Sequence, residues 1–303
     1  MVKGERKRVN KFTKFQLYYQ LTKPGVLYGN VITGVSGFLF GAAYFRTFDV
    51  WLFLATIGGM TLIIAAACAL NNVFDRDIDK VMERTKTRGV ASGAVSVRGA
   101  TVFAFTLLAL GTLVLALWSN WLVVAIGLAG FVTYVWLYGA LSKRRSIHGT
   151  AVGSVSGAFP ILAGYCGVSG ELDVAAVILF LILFFWQFPE FYSIAIYRQK
   201  EYARAGVPVM TVVKGVQNTK VQIFIYTILY VISTVLLTPL GYTGWIYFAA
   251  MLVLGLWWLK IGWGAFKVPE GPESDAWARR MFHFSLVVLL ALSVALPLGP
   301  LLP

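Results

Sequence analysis

Cysteine and histidine are nearly missing: two of each occur in 303 residues. Cys68 and Cys166 both fall inside apolar runs, where the expected role is that of a small buried hydrophobe. That excludes a disulfide framework. His148 and His283 stand far apart with no carboxylates at ligand spacing, which argues against zinc. His283 reads as an interfacial or packing side chain. Charge is scarce as well, at 13% Asp, Glu, Lys and Arg, against roughly a quarter in a soluble domain. Acids are the scarcer sign, 13 against 26 bases. No soluble domain, Pro/Gly/Ser-rich linker or low-complexity tract interrupts the chain. The basic N-terminus does not lead into the short apolar core and cleavage site of a removable signal peptide.

What remains is 58% hydrophobic. After Lys23-Pro24-Gly25 come nine apolar stretches, about 25–44, 51–74, 99–118, 121–141, 149–167, 173–196, 221–239, 243–265 and 281–301. Each is near the ~20 residues needed to cross a hydrocarbon core. The predicted fold is therefore an all-α, multi-pass membrane bundle of about nine transmembrane helices. Residues 1–22 are expected to form a basic interfacial segment on an anionic leaflet, with Phe12, Phe15 and Tyr19 at helical spacing. Residues 23–303 make a single transmembrane domain. Counted by side, 25 of the 26 bases lie before the first stretch or in and beside every second connection (1–23, 76–98, 143–145, 198–220 and 260–280), and only Arg46 lies on the other side. By the positive-inside rule the N-terminus is cytoplasmic and the C-terminus external. Bases spread over every cytoplasmic connection serve orientation, so nucleic acid is not an expected partner. Trp118, Trp121, Trp245 and Trp263 sit near helix ends, as an aromatic belt requires.

The acids that do occur are grouped. Asn71-Asn72-Val73-Phe74-Asp75-Arg76-Asp77-Ile78-Asp79-Lys80 follows a nearly uncharged run. At 100° per residue Asn71, Asp75 and Asp79 sit at about 0°, 40° and 80°, on one face, while Asp77 falls at about 240°. Asp77 is expected to pair with Arg76 or Lys80, or to face water. Two carboxylates on one face at membrane depth point to a hard cation, and Mg²⁺ usually bridges such groups to phosphates. The plain alternative is an ordinary charged loop between two helices, which leaves the four-residue spacing unexplained.

A second constellation is Trp186-Gln187-Phe188-Pro189-Glu190-Phe191, running on to Tyr197, Lys200 and Glu201. Past Asp173 at its very start, Glu190 is the one acid inside the sixth predicted helix and needs a partner, a proton or a cavity. Pro189 should kink the helix. Glu190 and Glu201 are near three turns apart and share a face if the helix continues. Lys143-Arg144-Arg145, with His148 nearby, fits either membrane anchoring or diphosphate contact. Asn30 fits either a helix–helix hydrogen bond or the lining of a cavity. Acids for Mg²⁺, interleaved bases and an apolar bundle together suggest ionisation of an allylic diphosphate.

Several segments carry a family resemblance: Leu21-Thr22-Lys23-Pro24-Gly25 with Gly29-Asn30; Asn71 to Asp79 with Met82 to Arg88; His148 to Gly157; Trp186-Gln187-Phe188-Pro189; Val207 to Met210 with Val212 to Gly215; and Ala276 to Arg279. The first motif resembles that of UbiA-type intramembrane prenyltransferases. The whole set, from about residue 17 to 290, is similar to the protoheme IX farnesyltransferase (haem O synthase) family within them. The resemblance implies a UbiA-type bundle in the plasma membrane of a prokaryote with its active site on the cytoplasmic side. It implies transfer of a farnesyl group from farnesyl diphosphate to a vinyl group of haem b, with water added, giving haem O. Haem–copper oxidase assembly proteins would be partners. It further implies Mg²⁺ on Asp75 and Asp79, support from Asn71, and neutralisation of the diphosphate by Arg84, Arg88 and Lys200, with Glu201 at the place of the family's second-loop aspartate. From the residues themselves, Glu201 is a further candidate for the metal, and Lys143, Tyr197, Glu190 and Asn30 are candidates for substrate contact. Three positions depart from the family pattern: histidine is replaced by Glu190, the second-loop aspartate by Glu201, and a proline by Thr211. Two other readings compete, a UbiA-type transferase acting on an aromatic or quinone precursor and a cation-coupled secondary transporter. Pro189 hints at the transporter, but the charged loops gather at one face rather than at the midplane.

Overall fold

Lys23 adopts φ 51° immediately before Pro24, and this left-handed corner separates a short surface helix from the first long one. A computed structural model describes residues 13–303, all of whose regular structure is helical. Phe12, expected on the interfacial face, lies outside the described residues. The surface helix α1 (Lys14–Leu21) starts with a capping box, in which Thr13 and Gln16 satisfy each other's backbone N–H groups. Phe15 is 80% exposed on it, as a lipid-facing position requires.

Long helices follow, four of them started by a side-chain cap. They are α2 (Pro24–Phe45), then α3 (Val50–Phe74) capped by Asp49, the short α4 (Arg76–Val81), α5 (Val97–Trp118) capped by Ser96, and α6 (Trp121–Arg145) capped by Asn120. The second half has α7 (Gly149–Ser169), α8 (Val174–Tyr197) capped by Asp173, the short α9 (Gln199–Arg204) and α10 (Met210–Val213), α11 (Gly215–Val235), α12 (Trp245–Trp263) and α13 (Pro272–Leu298). Among the described residues eight helices are long and apolar enough to cross a membrane. The expected ninth span corresponds to α11, whose opening turns, Gly215-Val216-Gln217-Asn218-Thr219-Lys220, are too polar to count with them. Lys220 there is fully buried and donates to the Val268 carbonyl at 2.8 Å.

Apolar lipid gives helices little reason to associate, so small residues that let backbones approach carry much of the packing. Helix α2 meets α7 in this way: a Cβ built on Gly164 would stand 2.0 Å from the Gly34 carbonyl oxygen, and one on Gly37 would stand 2.2 Å from the Ile161 carbonyl oxygen. Helices α3 and α5 repeat the device at Gly59 and Gly111. Helix α8 packs on α7, α11 and α13, while α2 packs on α7 and α13 and closes the ring. Trp118, Trp121, Trp245 and Trp263 are all exposed at helix ends. Both cysteines are free and buried.

Gly164→Ala forces α2 and α7 apart, because the obstacle is backbone and not a mobile side chain. The expected cost is about 1–3 kcal/mol, the usual range for overpacking, visible as a lower unfolding temperature in detergent. Gly58→Ala, whose new Cβ meets nothing within 4 Å, should leave that temperature unchanged or slightly higher. Equal behaviour of the two variants would refute this account of the α2–α7 contact.

Candidate functional site

Helix α3 stops at Phe74, and Asp75 (φ −85°, ψ 2°) forms the corner into α4. The i to i−4 pattern nevertheless continues through it, with the Asp75 N–H on the Asn71 carbonyl at 2.9 Å and the Asp79 N–H on the Asp75 carbonyl at 2.7 Å. The face predicted for Asn71, Asp75 and Asp79 therefore survives the corner. Asp75 and Asp79 are 1% and 3% exposed. The side chain of Asp77, 66% exposed, points elsewhere.

Each buried acid is held by a base. Lys143 Nζ stands 2.5 Å from Asp75 Oδ2, and Arg88 Nη1 donates to both Asp79 oxygens at 3.0 and 2.9 Å. Lys23 donates to Asn71 Oδ1, and Asn72 ties α3 to the end of α1 through the Leu21 carbonyl at 2.8 Å. Desolvated carboxylates of this kind are tolerated only when paired. Two polar atoms in the cage stay unmatched among the described residues, Asp75 Oδ1 and Asn71 Nδ2, both fully buried. The free Asp75 oxygen is a hard donor, which fits Mg²⁺, while the free Asn71 N–H group is a hydrogen-bond donor suited to an anionic oxygen.

Asp77 faces water as one of its two expected placings had it, but its local pairing with Arg76 or Lys80 is not what the structure shows. Its oxygens accept from Arg144 at 2.7 and 2.6 Å, and the same guanidinium also caps the Phe74 carbonyl at the end of α3. Arg144 hydrogen bonding holds the Asp77 carboxyl down to about 2. The cause lies in α6, which turns π-helical over Thr133–Ser142. Such a stretch shifts every later side chain around the axis, and here it delivers Lys143 and Arg144 to the two aspartates. It also brings Gly139 beside Asn71, where a Cβ would stand 3.4 Å from Nδ2.

The second charged loop closes over the first. Ile78 and Met82 of the first form a small buried cluster with Val207, and Tyr202, Ala205 and Val209 pack on it. Arg84 is exposed at this seam, within electrostatic reach of Tyr202. Lys200 is exposed on α9. Glu201 is ion-paired to Arg198 at 2.9 Å with Oε1 unmatched. No three His, Cys, Asp or Glu side chains are grouped to hold a metal among the described residues, so Glu201 is not gathered with Asp75 and Asp79. Helix α8 ends at Tyr197, and Arg198 (φ −117°) breaks it. Glu190 and Glu201 therefore do not share one continuous helix face. Tyr197 carries the Arg279 guanidinium over its ring at 4.4 Å. Among the described residues Asn30 donates to the Val26 carbonyl of its own helix at 2.8 Å and not to another helix.

Lys23 has no counterpart in the residue-by-residue reading of the sequence. Burial, reinforced by nearby Arg88, lowers its ammonium to about 8. Its one sequence signal is a base set directly before Pro-Gly at the start of the first span.

Residues 30–286 match the model of the UbiA prenyltransferase family. The chain belongs to the UbiA prenyltransferase family. Similar proteins include Protoheme IX farnesyltransferase 2 of Chromobacterium violaceum, 43% identical over 93% of this chain and 92% of that one. Protoheme IX farnesyltransferase of Yersinia enterocolitica is 40% identical over 91% and 92%. Among solved structures, one of digeranylgeranylglyceryl phosphate synthase superposes with a TM-score of 0.79 at 20% identity, covering 95% of this chain and 98% of that one. A UbiA homologue from Archaeoglobus fulgidus bound to GPP and Mg²⁺ gives 0.67 at 14% identity, over 92% and 99%. The last two share the fold.

Within this UbiA-family chain Asp77 is the acid that geometry sets apart. Its exposed pair with Arg144 is worth at most about 1 kcal/mol. Asp77→Asn should leave prenyl transfer within about twofold, measured beside the Asp75 and Asp79 variants, and a large loss would bring Asp77 into the site.

Proposed function

We propose that this membrane prenyltransferase moves a farnesyl group from farnesyl diphosphate to a vinyl group of haem b, with water adding to the vinyl carbon left cationic, giving haem O and diphosphate. The observation that carries the reading is the buried cage of Asp75 and Asp79 with Lys143, Arg88 and Lys23 at one end of an apolar helix bundle. The acceptor follows from relatives 40–43% identical over nine-tenths of the chain. Asp75 and Asp79, with Asn71 beside them, would hold Mg²⁺, which when bound neutralises diphosphate oxygens and eases departure of the leaving group. Lys143, Arg88 and Lys23 meet the remaining negative charge. Arg84 and Lys200, exposed on the facing loops, guide the anion in. The apolar bundle takes the farnesyl chain and keeps water from the allylic cation. The distribution of bases supports a cytoplasmic site in a bacterial plasma membrane, and haem–copper oxidase assembly is the proposed destination of the product.

The test is direct: membranes containing the protein receive farnesyl diphosphate, haem b and Mg²⁺, and the haems are resolved by mass spectrometry. Haem O should accumulate only when all three are present. Its absence, with a phenolic or quinone precursor prenylated instead, would overturn the acceptor.

Lys23 gives this reading a pH dependence. Its folded pKa of about 8 lies below the ordinary lysine value, so it is charged below pH 8 and neutral above. Bound diphosphate favours the charged form, so above pH 8 binding must take up a proton. The KM for farnesyl diphosphate should then rise, by up to about tenfold per pH unit. Lys23→Met should raise KM at every pH and flatten this rise, and initial rates between pH 7 and 9.5 decide the matter.

A further inference from the structure

One acid inside the bundle takes no part in the diphosphate cage. Glu190 lies in α8, about 10 Å along the axis from the helix end at Tyr197, at 1.5 Å per residue. At 100° per residue it falls between two neighbours, Gln187 about 60° to one side and Trp186 about 40° to the other. Gln187 donates to the Ser154 carbonyl of α7 at 3.0 Å, and Trp186 Nε1 to the Ser285 carbonyl of α13 at 2.9 Å. Glu190 therefore points between α7 and α13, toward the space that α2 closes by packing on both. The next residue, Phe191, turns outward and is 43% exposed. The Glu190 side chain is partly buried, and among the described residues no hydrogen bond or ion pair reaches its carboxyl. The proline before it is buried and fixes the local backbone.

A lone carboxyl in an apolar interior calls for a cation or a proton. The acceptor proposed above brings a Lewis acid, the iron at the centre of its ring, which anionic oxygen ligands bind. In a porphyrin the iron lies well inward of the vinyl edge. A ligand set deeper in the bundle than the acid–base cage thus leaves a vinyl group free to face the cage.

We propose that Glu190 binds the iron of the acceptor porphyrin and so turns a vinyl edge toward the allylic carbon of the donor. This rests on the haem reading above. It assigns Glu190 to acceptor binding and selection, apart from the metal and diphosphate.

The experiment titrates ferric haem into the purified protein in detergent, followed by absorption and electron paramagnetic resonance, with metal-free protoporphyrin IX as the second ligand. Wild type should give a high-spin, oxygen-ligated ferric signal. Glu190→Gln should lose that signal and bind ferric haem at least about tenfold more weakly, while protoporphyrin IX binds both proteins alike. Glu190→His should recover affinity with a nitrogen-ligated spectrum. Size-exclusion profiles and unfolding temperatures confirm that the variants are folded. Identical spectra and affinities for wild type and Glu190→Gln overturn the ligand role, even where haem O is still formed. A wild type that forms no haem O overturns the acceptor reading instead, and the two failures are told apart.

Discussion

Asp75→Asn and Asp79→Asn should each lower prenyl transfer by about a thousandfold, with both variants still inserting into the membrane. The substitution keeps shape and one oxygen, so packing in the last turn of α3 and in α4 is retained. What is lost is a negative charge in a dry site, where a single preorganised electrostatic contact is worth about 10²–10³ in rate. The two variants should differ in a second respect. Asp79 offers both oxygens to Arg88, so Asp79→Asn strips that guanidinium of its partner in a buried setting. Asp75 retains an unmatched oxygen, so Asp75→Asn removes the group best placed to accept a cation. Breaking one side of a buried pair costs about 3–5 kcal/mol when neither charge reaches water, and Arg88, 26% exposed, should cost less. The unfolding temperature is therefore expected to fall further for Asp79→Asn, and the Mg²⁺ requirement to shift further for Asp75→Asn. Haem O formation across a Mg²⁺ titration, with unfolding in detergent alongside, checks both. Wild-type turnover in either variant would remove that aspartate from the mechanism.

The long helices were legible because a bilayer imposes length and hydrophobicity together, and the acidic face because four-residue spacing survives even a corner at Asp75. The helix α11 was harder to read, since its opening turns are polar and its buried Lys220 is satisfied by a carbonyl 48 residues away. The partners of the acids were not legible at all. Local sequence offers Arg76 and Lys80 to Asp77, yet Arg144 takes it, because a π-helical stretch in α6 turns Lys143 and Arg144 toward the aspartates. Periodicity arguments assume one helical pitch, so they cannot locate that stretch among apolar residues. Lys23 was hidden for a related reason. It reaches Asn71 from a left-handed corner, and a lysine preceding Pro-Gly looks like any interfacial base.

Lys143 is the base through which these two lessons meet. Its ammonium lies on Asp75 Oδ2 at 2.5 Å with its side chain 20% exposed, and Tyr138 presents its ring at 5.9 Å. In that position it relieves the Asp75 charge and would meet the charge of a bound diphosphate. Lys143→Met preserves most of the aliphatic stem and removes only the charge. We expect turnover to fall about a hundredfold, the lower end for loss of one stabilising donor, with KM for farnesyl diphosphate raised as well. Lys143→Arg should not restore the rate, because a planar fork cannot replace a point charge seated between a carboxylate and a ring. Reinserting the charge one turn earlier, as Gly139→Lys, should also fail, since the new Cβ would press on the Tyr134 carbonyl oxygen at 3.2 Å with Asn71 Nδ2 already in contact at 3.4 Å. Single-turnover diphosphate release by the three variants separates loss of chemistry from loss of binding. A Lys143→Met enzyme with unchanged single-turnover rate would mean that the π-helical stretch serves only to anchor α6, and the cage would then reduce to the two aspartates with Arg88 and Lys23.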